Sequence, residues 1–442
     1  MSQKRDKTKK DAEVGNPALL AARCHEIQTN LGAIDVPEFE SIPELGMAVR
    51  LALHIRGLPL INYNVLKLVA NHYLGIPTLA VERIVRLLAE VEFVRLQTTG
   101  QTINGVLPLV PYYEDMFTQL GEYALVERPF NEAEELAIFL VNRLSKSPEN
   151  IDALHSASGA ERKLFNRGLQ VGVKGSYLVK RRCRGRDIVL SPTYFSENVE
   201  IFADAVAAQG ANSIRDILGA VGSFQGYPLK LIEDASKIGS IDISPDQVAL
   251  VKRLAQDGAV KPPSIQTTYA GENHFIFTPT PSGAALSPTK RDVYEKAMAI
   301  VAAIRQGQLL PQRYAIRSPQ AVLNALKTNL RLSRATTEAT QQYRNLTHLR
   351  VAQLINVGGG WSELRIIDTP ENREALNIAY DLVSTGTFQG MEVDEQARTA
   401  LQQEQHYIES LIASSEMRKR ETIQLTHEQQ EQLDLLFLEG IG

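Results

Sequence analysis

Lys174 and the run Lys180-Arg181-Arg182-Cys183-Arg184-Gly185-Arg186 place six cations within thirteen residues. Like charges held this closely repel one another unless an anion lies nearby. Nucleic-acid phosphates are such an anion, and each one neutralised releases condensed counterions and adds to affinity. Arginines can also enter a narrow A·T minor groove, where the potential is most negative. Just upstream, Arg162, Lys163 and Arg167 fall on a stretch with helical spacing, and Lys163 and Arg167 share a face four residues apart. Helix and basic run together make nine candidate contacts to double-stranded DNA, the helix toward base edges and the run toward phosphates.

Other chemistry is sparse. No phosphate loop with a lysine after its second glycine occurs, since in Gly172-Val173-Lys174-Gly175-Ser176 the lysine stands on the wrong side. No nucleophile elbow and no paired-histidine zinc motif is present. Cys24 and Cys183 cannot build a four-cysteine site, and the adjacent Cys24-His25 has no companion ligands. Gly358-Gly359-Gly360 suits a hairpin tip better than a phosphate cradle, because no helix follows it. No metal, cofactor or enzymatic activity is therefore expected.

The elements around these residues repeat. Helical segments, a β-branched strand, a polar or Gly-containing tip, a second apolar strand and then a proline recur four times. The prolines are Pro111, Pro192, Pro279 and Pro370, spaced by 81, 87 and 91 residues. In the first copy, Asn64–Tyr73 and Val81–Glu90 keep helical spacing around Gly75 and Pro77, and Val91–Gln97 with Val106–Val110 reads as a hairpin. In the second, the helix over Ala160–Gly168 precedes strands at Tyr177–Val179 and Ile188–Leu190, which leaves Lys180–Arg186 as the tip. The third contains Ser244-Pro245-Asp246-Gln247, a capping box with proline at the first helical position. The fourth carries the glycine tip before Trp361–Ile367.

This order of elements, over roughly residues 45–385, resembles tandem winged-helix proteins of prokaryotes. The resemblance implies a mainly α fold with small β-hairpins, an α+β class, built from tandem helix-turn-helix cores with C-terminal helices. The expected divisions are a basic arm over 1–20, winged-helix units over 21–125, 126–210 and 211–287, a winged-helix-like unit over 288–390, and an acidic helical tail over 391–442. The cations of the equivalent helices are Arg83 and Arg86, Lys252 and Arg253, and Lys327, Arg331 and Arg334; Glu82 and Glu90 dilute the first set and turn that copy toward protein docking. The alternative implied is an interaction scaffold or a subunit of a larger complex, in chromosome maintenance or antiviral defence.

The ends differ from the body. Lys4, Arg5, Lys7, Lys9 and Lys10 form a basic arm that cannot bury a core. Residues 391–442 carry four basic against eleven acidic residues, a balance of −7 in a chain whose net charge is −4. Leucines and isoleucines within Glu395–Ser414 and after Thr426 give amphipathic helices that pack back on the body, the slightly favoured reading, or serve a protein partner or self-association, with the body expected to fold without them. No apolar run approaches the ~20 residues of a membrane span, and the first fifteen residues have no apolar core, so a cytoplasmic location is expected.

Overall fold

Five antiparallel hairpins occur among the described residues, each in its own sheet; the smallest pairs Lys237–Ile238 with Ile241–Asp242, and the other four follow helices close to them in sequence. The computed structural model describes residues 16–413 apart from 33, 112, 196–197, 258, 261–262, 268–270, 280–287, 311–314, 333–334, 387–393, 406 and 411. The basic arm, the helix expected after Thr426 and Arg334 lie outside the described residues. The chain is mainly helical with small antiparallel sheets, an α+β architecture.

The four larger hairpins pair Val94–Thr99 with Thr102–Pro108, Val179–Cys183 with Arg186–Leu190, Ser264–Thr267 with Gly271–Ile276, and Ala352–Gly358 with Trp361–Ile366. A two-residue strand completes each of the first three sheets: Ile61–Asn62, Glu149–Asn150 and Tyr227–Pro228. In the fourth, single bridges Arg331↔Arg365 and Thr336↔Ser362 take that place.

The short strands also start helices. Asn62 accepts from the backbone N–H groups of Asn64 and Val65, and Asn150 accepts from those of Asp152 and Ala153. Each asparagine therefore ends a strand and caps the helix that follows it, Tyr63–His72 or Ile151–Ser158. Pro228 occupies the third equivalent position and has no side-chain acceptor for this purpose. The expected capping box at Ser244 and Gln247 forms, with Pro245 starting the helix Pro245–Gln256.

Two compact units divide the chain, one drawn from 1–28, 40–129 and 393–442, the other from 29–39 and 130–392. In the first, the helix Ser41–Ile55 is buried along most of its length, with Ile42, Leu51 and Leu53 fully enclosed. The described part of the tail belongs to this unit: Ala397, Ala400, Leu401 and Ile408 are buried. Arg398 donates to the carbonyls of His54 and Arg56. Its helix is Glu395–Ala400, shorter than the sequence pattern suggests, and turns begin at Leu401.

In the second unit the sheets are separate and the cores are not. Ile188 and Leu190 of the second hairpin join Phe202, Ile217 and Leu254 in one cluster. Phe275 and Phe277 join Tyr294, Ile304, Leu364 and Leu382 in another. An isolated stretch of ~80 residues buries only about 60–65% of its unfolded surface, so sharing apolar faces between copies supplies what each lacks.

Candidate nucleic-acid interface

The helix Arg162–Lys174 begins after Gly159, whose φ of 63° closes the preceding helix in the left-handed region. Its inner face carries Phe165 and Val171, both buried, together with Gly168 and Gly172. The glycines allow close approach. A Cβ on Gly168 would lie 2.9 Å from Leu136 Cδ2, and one on Gly172 would fall on Leu178 at the start of the hairpin. Helix and hairpin are thus held against each other at fixed separation.

The hairpin is longer and its tip shorter than the sequence pattern suggests. Only Arg184 and Gly185 form the tip, with φ of 48° and 76°. Two successive residues with positive φ make the primed kind of turn whose twist matches the strands, so pairing extends out to Cys183↔Arg186. Lys180, Arg181 and Arg182 are therefore strand residues, and alternation sends them to opposite faces. Lys180 and Arg182 face the helix, where Lys180 pairs with Asp187 at 2.9 Å and Arg182 stands 3.9 Å from the same carboxylate. Arg181 faces away and pairs with Glu200 at 2.8 Å.

Helix and hairpin enclose an open groove of about 640 Å³. Arg162, Asn166, Gln170 and Lys174 line one wall at i, i+4 spacing, with Val173 between them. Lys180, Arg182, Gly185 and Arg186 line the other, and Asn150 and Asp152 close one end. Five cations line the groove against the two carboxylates of Asp152 and Asp187. Arg162 stands 3.6 Å from Asp152, and Arg186 also donates to the carbonyl of Ala207 at 3.4 Å. Lys174 has no carboxylate partner among the described residues.

The remaining candidates point elsewhere. Arg167 lies outside the groove and grips Glu38 through Nε and Nη2, at 2.6 and 3.1 Å. Lys163 is exposed and is not part of the groove wall. Arg184 is bonded to Asp204 on the hairpin's far side. These pairs leave their mark on ionisation: Arg184 holds Asp204 below the usual carboxylate range, Arg167 does the same to Glu38, and Lys180 to Asp187. The protein itself thus supplies part of the anion that the basic run demands.

Asn166, Gln170 and Asn150 are groove residues that a search for charge passes over. Counting in fours from Arg162 along the helix finds the first two. The acids on the far side carry no comparable signal, since Glu38 stands 129 residues from its arginine.

Beneath the groove, Glu149 is 1% exposed and accepts from Arg143 Nε at 2.7 Å and from Arg215. A buried carboxylate needs such partners, and here they tie the short strand to the helices Glu132–Leu144 and Ala211–Ser223.

Most cations of the equivalent helices are spent internally, and Arg331 falls past the end of its helix, Pro319–Asn329. Arg83 places two nitrogens on the buried Glu44, and Arg86 pairs with Glu82 at 2.7 Å. Lys252 pairs with Glu233 at 2.8 Å, Arg253 lies 3.5 Å from Asp204, and Lys327 sits over the ring of Tyr380.

Cys24 is buried and His25 half-buried in the first unit, where desolvation takes the His25 pKa down to about 4. No cluster of three metal-ligating side chains occurs among the described residues, and no described helix is long and apolar enough to cross a membrane. No protein-family model matches the chain, and no curated protein matches its sequence.

Proposed function

We propose that the chain is a non-enzymatic, cytoplasmic DNA-binding protein built from tandem winged helices, with the second copy as its main duplex contact. The observation that carries this reading is the groove between the helix Arg162–Lys174 and the hairpin Val179–Leu190, with five cations against two carboxylates. A helix whose outer face carries Arg162, Asn166, Gln170 and Lys174 suits the major groove, where amides and cations read base edges. Lys180 and Arg182 then reach the phosphates beside it. The order helix, short strand, two helices, hairpin supports the winged-helix assignment of the first three copies, although in the third the short strand does not cap and a small hairpin, Lys237–Ile238 with Ile241–Asp242, stands between the two helices. The fourth, with bridges in place of the short strand and two one-turn helices, is the degenerate copy.

Duplex binding at low and physiological salt tests the reading. Affinity should fall steeply with salt, and Lys180→Ala with Arg182→Ala should flatten the slope by about 0.9 per phosphate left without its cation. Binding that ignores salt, or that these substitutions leave unchanged, would exclude it.

One observation favours the scaffold reading for the first copy. Its second helix, Thr78–Glu90, exposes Leu79 at 97% while Arg83 and Arg86 are held by carboxylates. An apolar residue beside neutralised arginines suits a protein partner better than phosphates. A partner that stays bound at high salt and is lost on Leu79→Asp would establish that role.

A further inference from the structure

The fourth hairpin sets two like charges against each other. Arg331 and Arg365 stand opposite each other across an antiparallel bridge, so their side chains leave the same face of the sheet. Both are exposed, and neither guanidinium has a carboxylate partner or a hydrogen bond among the described residues. Leu332 N–H donates to the Leu364 carbonyl and Ile366 N–H to that of Leu330, which fixes the two arginines in register. Like charges directly opposite one another destabilise a sheet. In the second hairpin the arginines are held by carboxylates, Arg181 by Glu200 and Arg184 by Asp204.

The same face carries a stacking group. Alternation along Trp361–Ile366 puts Trp361, Glu363 and Arg365 on one side and buries Leu364 and Ile366 on the other. Trp361 is the chain's single tryptophan, it is 46% exposed, and it stands about 14 Å along the strand from Arg365 at ~3.4 Å per residue. Val357, 55% exposed, lies near it across the tip. Gly358, Gly359 and Gly360 have φ of 100°, 61° and 80°, so the tip carries no side chain that would shield the indole. Gln353, opposite Arg365, adds an amide to this face, while Ile355 and the half-buried Glu363 separate the arginines from the indole.

We propose that this face binds single-stranded nucleic acid, with Arg331 and Arg365 gripping backbone phosphate and Trp361 stacking on a base. An aromatic beside a basic track is the recurring solution for sequence-tolerant single-strand binding, because every base has a π-face. The site is separate from the groove on the second hairpin and stands whether or not that groove holds duplex DNA.

Because the chain has a single tryptophan, its emission reports on this face alone. Titrating the full chain with oligothymidylate should quench Trp361, with a salt dependence shallower by about 1.4 in Arg331→Ala/Arg365→Ala, at ~0.7 for each single-strand phosphate no longer neutralised. Arg331→Lys/Arg365→Lys should keep most of the quenching, which separates lost charge from lost fold. Three results would overturn the proposal: no quenching by the single strand, quenching that the alanine pair leaves intact, or quenching by polyglutamate or duplex in preference to oligothymidylate.

Discussion

Arg184 lays both ends of its guanidinium on Asp204, with Nε–Oδ1 at 2.6 Å and Nη2–Oδ2 at 2.9 Å. The arginine stands at the tip of the basic hairpin, in a left-handed conformation that non-glycine residues seldom adopt. Asp204 belongs to the helix Val199–Gln209, and Arg181 meets Glu200 on the same helix. Two of the chain's most conspicuous cations thus brace the hairpin from behind, leaving Lys180 and Arg182 to face the groove.

This division predicts unequal mutants of equal charge. Lys180→Ala/Arg182→Ala should lower duplex affinity and flatten its salt slope by about 1.8, two phosphates at ~0.9 each. Arg181→Ala/Arg184→Ala removes the same charge and exposes Glu200 and Asp204, yet should change the slope far less. Parallel titrations at several salt concentrations decide the matter, and equal slopes for the two pairs would show that charge acts without regard to face.

Gly172 should tolerate no side chain. A Cβ there meets Leu178, which is buried beside the hairpin, and Tyr177 Cε2 at 3.1 Å. Gly172→Ala should therefore cost about 1–3 kcal/mol by overpacking, measured as a lower denaturant midpoint. If the helix shifts to make room, duplex affinity falls with it. An unchanged midpoint would mean that Leu178 repacks freely.

The four larger hairpins were legible because prolines and apolar strands punctuate them, and the basic cluster because charge is visible in a string of letters. The faces were harder. Tip length decided which way Lys180, Arg181 and Arg182 point, and it rests on two positive φ values at Arg184 and Gly185. Only glycine announces such a conformation in sequence. The counter-charges Glu38 and Asp204, and the shared cores, arise from long-range packing with no local pattern. Helices were legible in outline and less so in extent: Thr337–Asn345 reads as one helix, yet Ala339–Gln342 and Arg344–His348 form two.

The first unit should lose stability in acid. His25 is half-buried with Nδ1 3.4 Å from the Gly46 carbonyl, and desolvation drops its pKa from 6.5 to about 4. Burial lowers His54 as well; its Nδ1 bonds the Arg50 carbonyl and its Nε2 accepts the Asp394 N–H. A depressed histidine takes up its proton more readily in the unfolded chain, so stability falls as pH drops from about 6.5 toward 4. For His25 the loss amounts to about 3 kcal/mol. Protonated His54 could no longer accept from Asp394, so the segment around Arg398 should loosen once the pH falls below His54's ordinary value. Amide exchange at residues 394–401 and unfolding midpoints between pH 7 and 4 check this. A flat profile, or one unchanged by His25→Gln, would reject it.

Asn166 and Gln170 carry the sharpest prediction about specificity. Both line the groove wall one helical turn apart, both are exposed, and Gln170 has only a long 3.5 Å contact from Arg167. Side-chain amides match the N6 and N7 edge of adenine in the major groove, each good bidentate pair contributing about 1–3 kcal/mol of discrimination. Four residues advance ~6 Å along a helix, and base pairs rise ~3.4 Å, so the two adenines should lie about two base pairs apart. Selection from a randomised duplex pool should therefore enrich adenine at two such positions. Asn166→Ala should relax one and Gln170→Ala the other, with little change in the salt slope, because every phosphate keeps its cation. If the parent binds no duplex at any salt, the DNA reading itself falls. If it binds and both variants keep the parent's preferences, the amides are bystanders, and any selectivity must come from the cations around them.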